Sequence, residues 1–288
     1  MQLHSIHTGN FKLDGGAMFG VVPKSIWNKL NPADENNLCT WALRCLLVIE
    51  GDRKILIDTG IGDKQDAKFL SHYYLHNTKT LAQALQEINL DLTDITDVLL
   101  THLHFDHVGG AIQKKEDQLV LTFPNATYWV SEPQWDNASN PNKREKASFL
   151  KENIEPLLTS GKLKIISLPA YQSDKELQTI HFSKHISCIV VNGHTAGMLL
   201  PKIKYGTHEI VFMADLLPSI GHIPIPYIMG YDMQPIITLQ EKELFLQEAI
   251  QNNYTLFFEH DAVTECCTVE QTEKGIRAAT IFKLEHLH

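Results

Sequence analysis

Two neighbouring apolar runs, Arg44-Cys45-Leu46-Leu47-Val48-Ile49-Glu50 and Lys54-Ile55-Leu56-Ile57-Asp58, flank a Gly51-Asp52 pair. Such runs around a short polar turn predict a β-hairpin. Leu81, Leu85 and Ile88 then recur at helical spacing, which predicts a helix over residues 79–89. A short run, Asp97-Val98-Leu99-Leu100, reads as a strand, as does Thr127 to Val130, and Ser148 to Leu158 reads as a helix stopped by Thr159-Ser160-Gly161. In the second half, strands are predicted over Ser187–Val191, Glu209–Met213 and Thr255–Phe258. Leu244, Leu246, Ala249 and Ile250 form a helical stripe over residues 239–250. No internal repeat and no Gly-, Ser- or Pro-rich linker interrupts the chain, so one domain over residues 1–288 is the expectation. Strands and helices mixed throughout both halves predict a layered α/β architecture, with helices outside two packed sheets.

The polar residues at the ends of these strands change the picture. Asp58 closes the hairpin, His102 follows the run at 97–100, His194 follows the strand at 187–191, Asp215 the strand at 209–213, and His260 the strand at 255–258. Fifteen histidines make this an unusually imidazole-rich chain, and imidazole is the commonest metal ligand in proteins.

Composition narrows the class further. A formal charge of −9 disfavours a phosphate-tracking surface, so no nucleic acid is expected as partner. The densest basic run, Asn142-Lys143-Arg144-Glu145-Lys146, is short and mixed and reads as a solvated face. No apolar stretch reaches the ~18–20 residues of a membrane span. The amino-terminal residues show no basic segment followed by an apolar run. Five cysteines without regular spacing favour a reduced, cytoplasmic chain.

The densest chemistry lies at Thr101-His102-Leu103-His104-Phe105-Asp106-His107-Val108-Gly109-Gly110. Residues two apart on an extended segment point the same way. His102 and His104 can therefore grip one ion, with Asp106 and His107 following on the turn. Imidazole and carboxylate together suit Zn²⁺. Gly109 and Gly110 let the backbone turn sharply beneath the cluster.

This segment resembles the signature of the metallo-β-lactamase superfamily. The resemblance extends to Asp58-Thr59-Gly60, to Gly193-His194-Thr195-Ala196-Gly197, to Ala214-Asp215 and to Glu259-His260-Asp261. It implies an αββα sandwich, two packed mixed β-sheets with helices on the outer faces. It also implies two Zn²⁺ ions, one on His102, His104 and His194 and the other on Asp106, His107 and His260, with Asp215 shared. Asp58 would orient a ligand histidine rather than bind metal. Within the superfamily, five histidines and two aspartates resemble the quorum-quenching N-acyl homoserine lactonases, in which a metal-bridging hydroxide attacks the ester carbonyl of the lactone ring. Asp106 would relay a proton to the leaving group.

Met18, Phe19, Ile223, Tyr227 and Met229 are the candidate substrate contacts, an apolar and Pro-stiffened set suited to a small neutral acylated lactone or ester. Met18 and Phe19 read equally as core, and the apolar residues near Phe19 and Pro224 equally as a homodimer contact. The chain departs from the lactonases at Pro218, where they often carry a substrate-binding tyrosine; His222 and Tyr227 are the candidates to replace it. The alternatives on the same ligand set are a phosphotriesterase or general esterase and a glyoxalase II-type thioester hydrolase. A mononuclear iron persulfide dioxygenase would use only His102, His104 and His194.

Overall fold

The computed structural model describes residues 1–169 and 176–287. They form two compact units, the first from residues 1–9 and 43–169, the second from 10–42 and 170–288.

A six-stranded mixed sheet includes Gln2–Asp14, Leu38–Glu50, Arg53–Ile57, Asp97–Leu99, Thr127–Ser131 and Leu163–Ile166, in that order across the sheet. The predicted hairpin forms, with Glu50 opposite Arg53 and Gly51 in the left-handed region at φ +62°. From Arg53–Ile57 onward the strands pair in parallel, Ile57 beside Leu99 and Leu99 beside Trp129. Parallel strands finish at the same edge, so Asp58 and the Thr101–His107 segment emerge side by side. Behind this edge, Leu47, Leu56, Leu85, Val98, Leu100, Leu103, Tyr128 and Leu157 form a buried apolar core. Each such side chain contributes roughly 1.5–3 kcal/mol by leaving water.

The helix predicted over 79–89 is shorter, Leu81–Gln86. Thr80 and Gln83 form a reciprocal capping box at its start, while Asn89 at φ +59° ends the coil, so Ile88 packs from the closing turn. The next predicted helix begins later, at Lys151, because Lys146–Ser148 forms a separate 3₁₀ turn and Leu150 is extended.

In the second unit, seven strands form a mixed sheet. Its middle holds Ile186–Val191, Met198–Tyr205, His208–Phe212 and Thr255–Phe257. The first three pair antiparallel in succession, and the last two pair in parallel, Phe212 beside Phe257. Ile186–Val191, His208–Phe212 and Thr255–Phe257 thus all point the same way. Their carboxyl ends deliver His194, Asp215 and His260 to one edge.

The helix Pro235–Asn252 covers more chain than expected. Proline at its start needs no hydrogen bond there, and Asn253 in the left-handed region stops it. Its buried stripe is Thr238, Glu241, Lys242, Phe245, Leu246 and Ala249, whereas the expected Leu244 and Ile250 lie at its margins. Two charged residues on the buried face of a helix call for partners.

Candidate metal-ligand clusters

In the first unit the candidate ligand residues sit on one continuous piece of chain. His104 begins a one-turn helix, Phe105–Val108, which places Asp106 and His107 on the turn after the extended His102–His104 pair. The three imidazoles converge: the His102 ring centroid lies 4.6 Å from that of His104 and 3.8 Å from that of His107. Gly109 and Gly110 are required by close backbone approach rather than by dihedral angle. A Cβ on Gly109 would lie 2.0 Å from the Ile61 carbonyl oxygen, and one on Gly110 2.2 Å from that of Thr59.

Hydrogen bonding fixes which nitrogen each ring offers. Asp58, fully buried and held at φ +56°, accepts from the Thr101 amide at 2.7 Å, the Thr101 hydroxyl at 2.6 Å and His107 Nδ1 at 3.0 Å. The Thr101 hydroxyl has one proton, already given to Asp58, so at 3.0 Å it accepts from His102 Nδ1–H. His104 donates instead from Nε2, to Glu145 at 3.0 Å. The lone pairs therefore lie on Nε2 of His102 and His107 and on Nδ1 of His104. Glu145 is itself steadied by amide donors from Asn137 and Asn142 at 2.9 and 3.1 Å. The basic run expected to be a solvated face thus contains a carboxylate only 1% exposed, turned inward by its imidazole and amide partners.

On the flank of the same helix, Phe69, Tyr73 and Phe105 form an aromatic group, with Tyr73 and Phe105 centred 4.7 Å apart. Burial, with the Asp106 charge adding to it, pushes the Tyr73 phenol up to about 12.

In the second unit three separate strand ends supply the cluster. Asp215 lies between two histidines, one carboxylate oxygen 3.1 Å from His194 Nε2 and the other 3.2 Å from His260 Nε2. Two ligands held at about 2.0–2.1 Å by a tetrahedral zinc sit about 3.3 Å apart, so these spacings suit neighbouring ligands of an ion. Each ring is again oriented from behind. His194 Nδ1 donates to Asp232 at 2.8 Å, and His260 Nδ1 donates to the Ala42 carbonyl at 2.8 Å. Burial works to lower the His194 pKa, but the charges and hydrogen bonds of Asp215 and Asp232 outweigh it and raise it to about 10. These carboxylates favour positive charge where an ion would be held. The donor types, the paired spacings and the anionic setting fit a divalent metal.

The His194 turn is clamped by the helix Pro235–Asn252. Glu241 accepts from the amides of Asn192 and Gly193 at 2.6 and 2.9 Å, and Gly193 presses against that helix so closely that a Cβ would lie 2.3 Å from the Thr238 nitrogen. Burial pushes the Glu241 carboxyl up to about 7, against the pull of these amides.

His222 has a different surrounding. Its Nε2–H donates to the Met18 carbonyl at 2.9 Å, and its Nδ1 accepts from the Ser219 hydroxyl at 2.9 Å. Its ring stacks on Phe19 at 4.4 Å, and burial drives its pKa down to about 3. With both nitrogens engaged by the protein, this neutral imidazole pins the Met18–Phe19 backbone and has no nitrogen left for proton transfer. Phe19 is fully buried between Trp27 and His222 in and beside a short helix capped by Asp14. Met18, Ile223 and Met229 are also buried, while Tyr227 is half-buried and its hydroxyl has no protein partner among the described residues.

Sequence reasoning named the candidate ligand residues and Asp58 but not Glu145, Asp232 or Glu241, the carboxylates that hold His104, His194 and the turn before His194. Asp232 and Glu241 carry no spacing signal, and Glu145 stood in a run whose charge pattern points to solvent.

Residues 44–260 match the metallo-β-lactamase superfamily. The chain belongs to that superfamily, and its two mixed sheets with helices are those of its fold. A probable metal-dependent hydrolase from Staphylococcus aureus is 28% identical, with 100% of this chain and 98% of that one covered and a TM-score of 0.86. AidC, a dizinc quorum-quenching lactonase solved with a product, is 23% identical over 96% and 93% of the two chains, with a TM-score of 0.75. The hydrolase AbOPH is 21% identical over 98% and 94%, with a TM-score of 0.77. No curated protein matches the chain in sequence. No helix among the described residues is long and apolar enough to cross a membrane.

Proposed function

We propose that the protein is a dinuclear metal-dependent lactonase that opens the ring of N-acyl homoserine lactones. The observation that carries the metal part is the orientation of the imidazoles: His102, His104, His107, His194 and His260 each have one ring nitrogen hydrogen-bonded to a protein partner, so the opposite nitrogen is the one that would serve as ligand. In this reading, as the superfamily's ligand pattern implies, His102, His104 and His194 would hold one ion and Asp106, His107 and His260 the other, with Asp215 common to both. Divalent ions bound there supply Lewis acidity and a water acidic enough to attack an ester at neutral pH.

The remaining chemistry falls to side chains. Asp106, on the first turn of its helix, would take the proton released by the attacking water and pass it to the alkoxide leaving group as the ring C–O bond breaks. The Tyr227 hydroxyl donates to the substrate carbonyl, taking the task that Pro218 cannot perform. His222 serves as a strut beneath Met18 and Phe19, which back the substrate wall rather than form its surface. Half-buried Ile225, Tyr227 and Ile228 give that wall an apolar, uncharged face, suited to a neutral acylated lactone. The likeness to AidC supports the choice of lactone within the superfamily.

The zinc-loaded protein is expected to hydrolyse a long-chain N-acyl homoserine lactone faster than a phosphotriester or a glutathione thioester, with two metals per chain, and Asp106→Asn is expected to abolish turnover. A preference for the phosphotriester or thioester would replace the lactonase assignment. One iron per chain with persulfide oxidation would replace the dinuclear one.

A further inference from the structure

Lys242 has no exposed surface, although it lies on the helix Pro235–Asn252 in the company of Phe245 and Leu246. Its amino group donates to two backbone carbonyls, Tyr227 at 2.7 Å and Pro224 at 3.1 Å, while burial pulls its pKa down to about 7. Among the described residues no carboxylate lies within ion-pair distance of it. The Tyr227 amide donates to the Pro224 carbonyl at 2.9 Å, so Pro224–Tyr227 is a closed turn, and Lys242 binds the carbonyls at both of its ends. From the far side of the turn, Gly230 donates to the Ala17 carbonyl at 2.7 Å, and Gly20 admits the Ile228 carbonyl, which a Cβ would approach to 2.5 Å. Gly230 and Gly20 thus hold the segment through main-chain contacts, and Lys242 holds it through a side chain. Its neighbour Glu241 binds the turn that carries His194. Adjacent helical residues point about 100° apart. One turn of helix therefore sets the ligand-bearing turn with Glu241 and the Tyr227-bearing turn with Lys242.

We propose that Lys242 is a positioning residue: by gripping the Pro224 and Tyr227 carbonyls it fixes the wall formed by Ile225, Tyr227 and Ile228, and so determines which acyl chains the protein accepts. The specificity half of this inference rests on the lactonase reading; the anchoring half does not.

The test compares wild type with Lys242→Met, which keeps the apolar stem without the amino group, and with Lys242→Gln, which restores an N–H donor. Two readouts are taken on the full zinc-loaded chain: amide hydrogen exchange over residues 224–230, and kcat and KM for N-acyl homoserine lactones from butanoyl to dodecanoyl. In the Met variant the amides of Tyr227, Ile228 and Gly230 should exchange about tenfold faster or more, a local opening, with the rest of the second unit unchanged. KM for the long-chain lactones should rise about tenfold while kcat and zinc content stay within about twofold, the signature of lost uniform binding. The Gln variant should fall between the two.

Unchanged exchange at 224–230 overturns the anchoring. Faster exchange with a KM that is unaltered at every chain length, or with kcat and zinc lost together, overturns the role in specificity. Should the Met variant fail to fold, the Gln variant decides by the same criteria. If wild type turns over no lactone, the lactonase reading fails, and the exchange arm alone decides whether Lys242 holds the turn.

Discussion

The two ligand clusters solve the same problem by opposite means. In the first unit, His102, His104, Asp106 and His107 are neighbours in sequence, and an extended segment followed by one helical turn is enough to gather them. In the second, His194, Asp215 and His260 meet only because three strands of one sheet end at a common edge. The local cluster depends on short-range geometry, the dispersed one on the whole sheet and on the helix Pro235–Asn252 behind it. In both, most of the rings are oriented by partners distant in sequence: Glu145 is 41 residues from His104, Asp232 is 38 from His194, and Ala42 is 218 from His260, whereas His102 is held by its neighbour Thr101. A motif can supply a ligand without fixing its tautomer.

The sharpest way to break this comparison is to remove one ligand from each side. His104→Ala and Asp215→Asn should each reduce hydrolysis by more than about 100-fold, since even outer partners of metal ligands are worth 10–100-fold. Elemental analysis should show Asp215→Asn losing metal at both positions, because its two oxygens face two different histidines. Retention of one full equivalent with activity would show that the local cluster suffices alone.

Backbone packing offers the next test. Gly109→Ala and Gly193→Ala force a Cβ to 2.0 and 2.3 Å from main-chain atoms, so each should destabilise the protein by about 3 kcal/mol in urea unfolding. A neutral result at Gly193 would mean that the helix Pro235–Asn252 is not the rigid backing of the dispersed cluster.

Outer partners should follow. Asp58→Asn and Asp232→Asn are expected to weaken metal affinity by about 10–100-fold in chelator competition. Asp58→Asn should have the larger effect, because Asp58 also holds the Thr101 amide and hydroxyl. Equal losses would mean that the second cluster is as sensitive to local strain as the first. Smallest is Tyr227→Phe, expected to lower kcat/KM about tenfold, the worth of a single hydrogen bond, with zinc content unchanged.

The hairpin and the strands before the ligands were legible because apolar runs of β-branched and aliphatic residues bounded by Gly and Asp have few other readings. The stripe on the long helix was misplaced because two of its buried positions, Glu241 and Lys242, are charged. Binary patterning assigns such residues to water, and only their backbone partners at Asn192, Gly193, Pro224 and Tyr227 explain why they face inward. Glu145 was assigned to solvent for the same reason. His222 had the composition of a catalytic residue but not the surroundings, since Ser219 and Met18 occupy both its nitrogens.

By itself the sequence determined the inventory: seven ligand-type side chains, each following a strand, with the glycines that let the chain pass beneath them. Ligand identity is a matter of residue chemistry and local spacing, which a linear string carries. The tertiary structure alone decided which nitrogen each imidazole offers and which buried charges hold the surrounding turns. Those depend on single hydrogen bonds to atoms brought close by folding, and no periodicity along the chain encodes them.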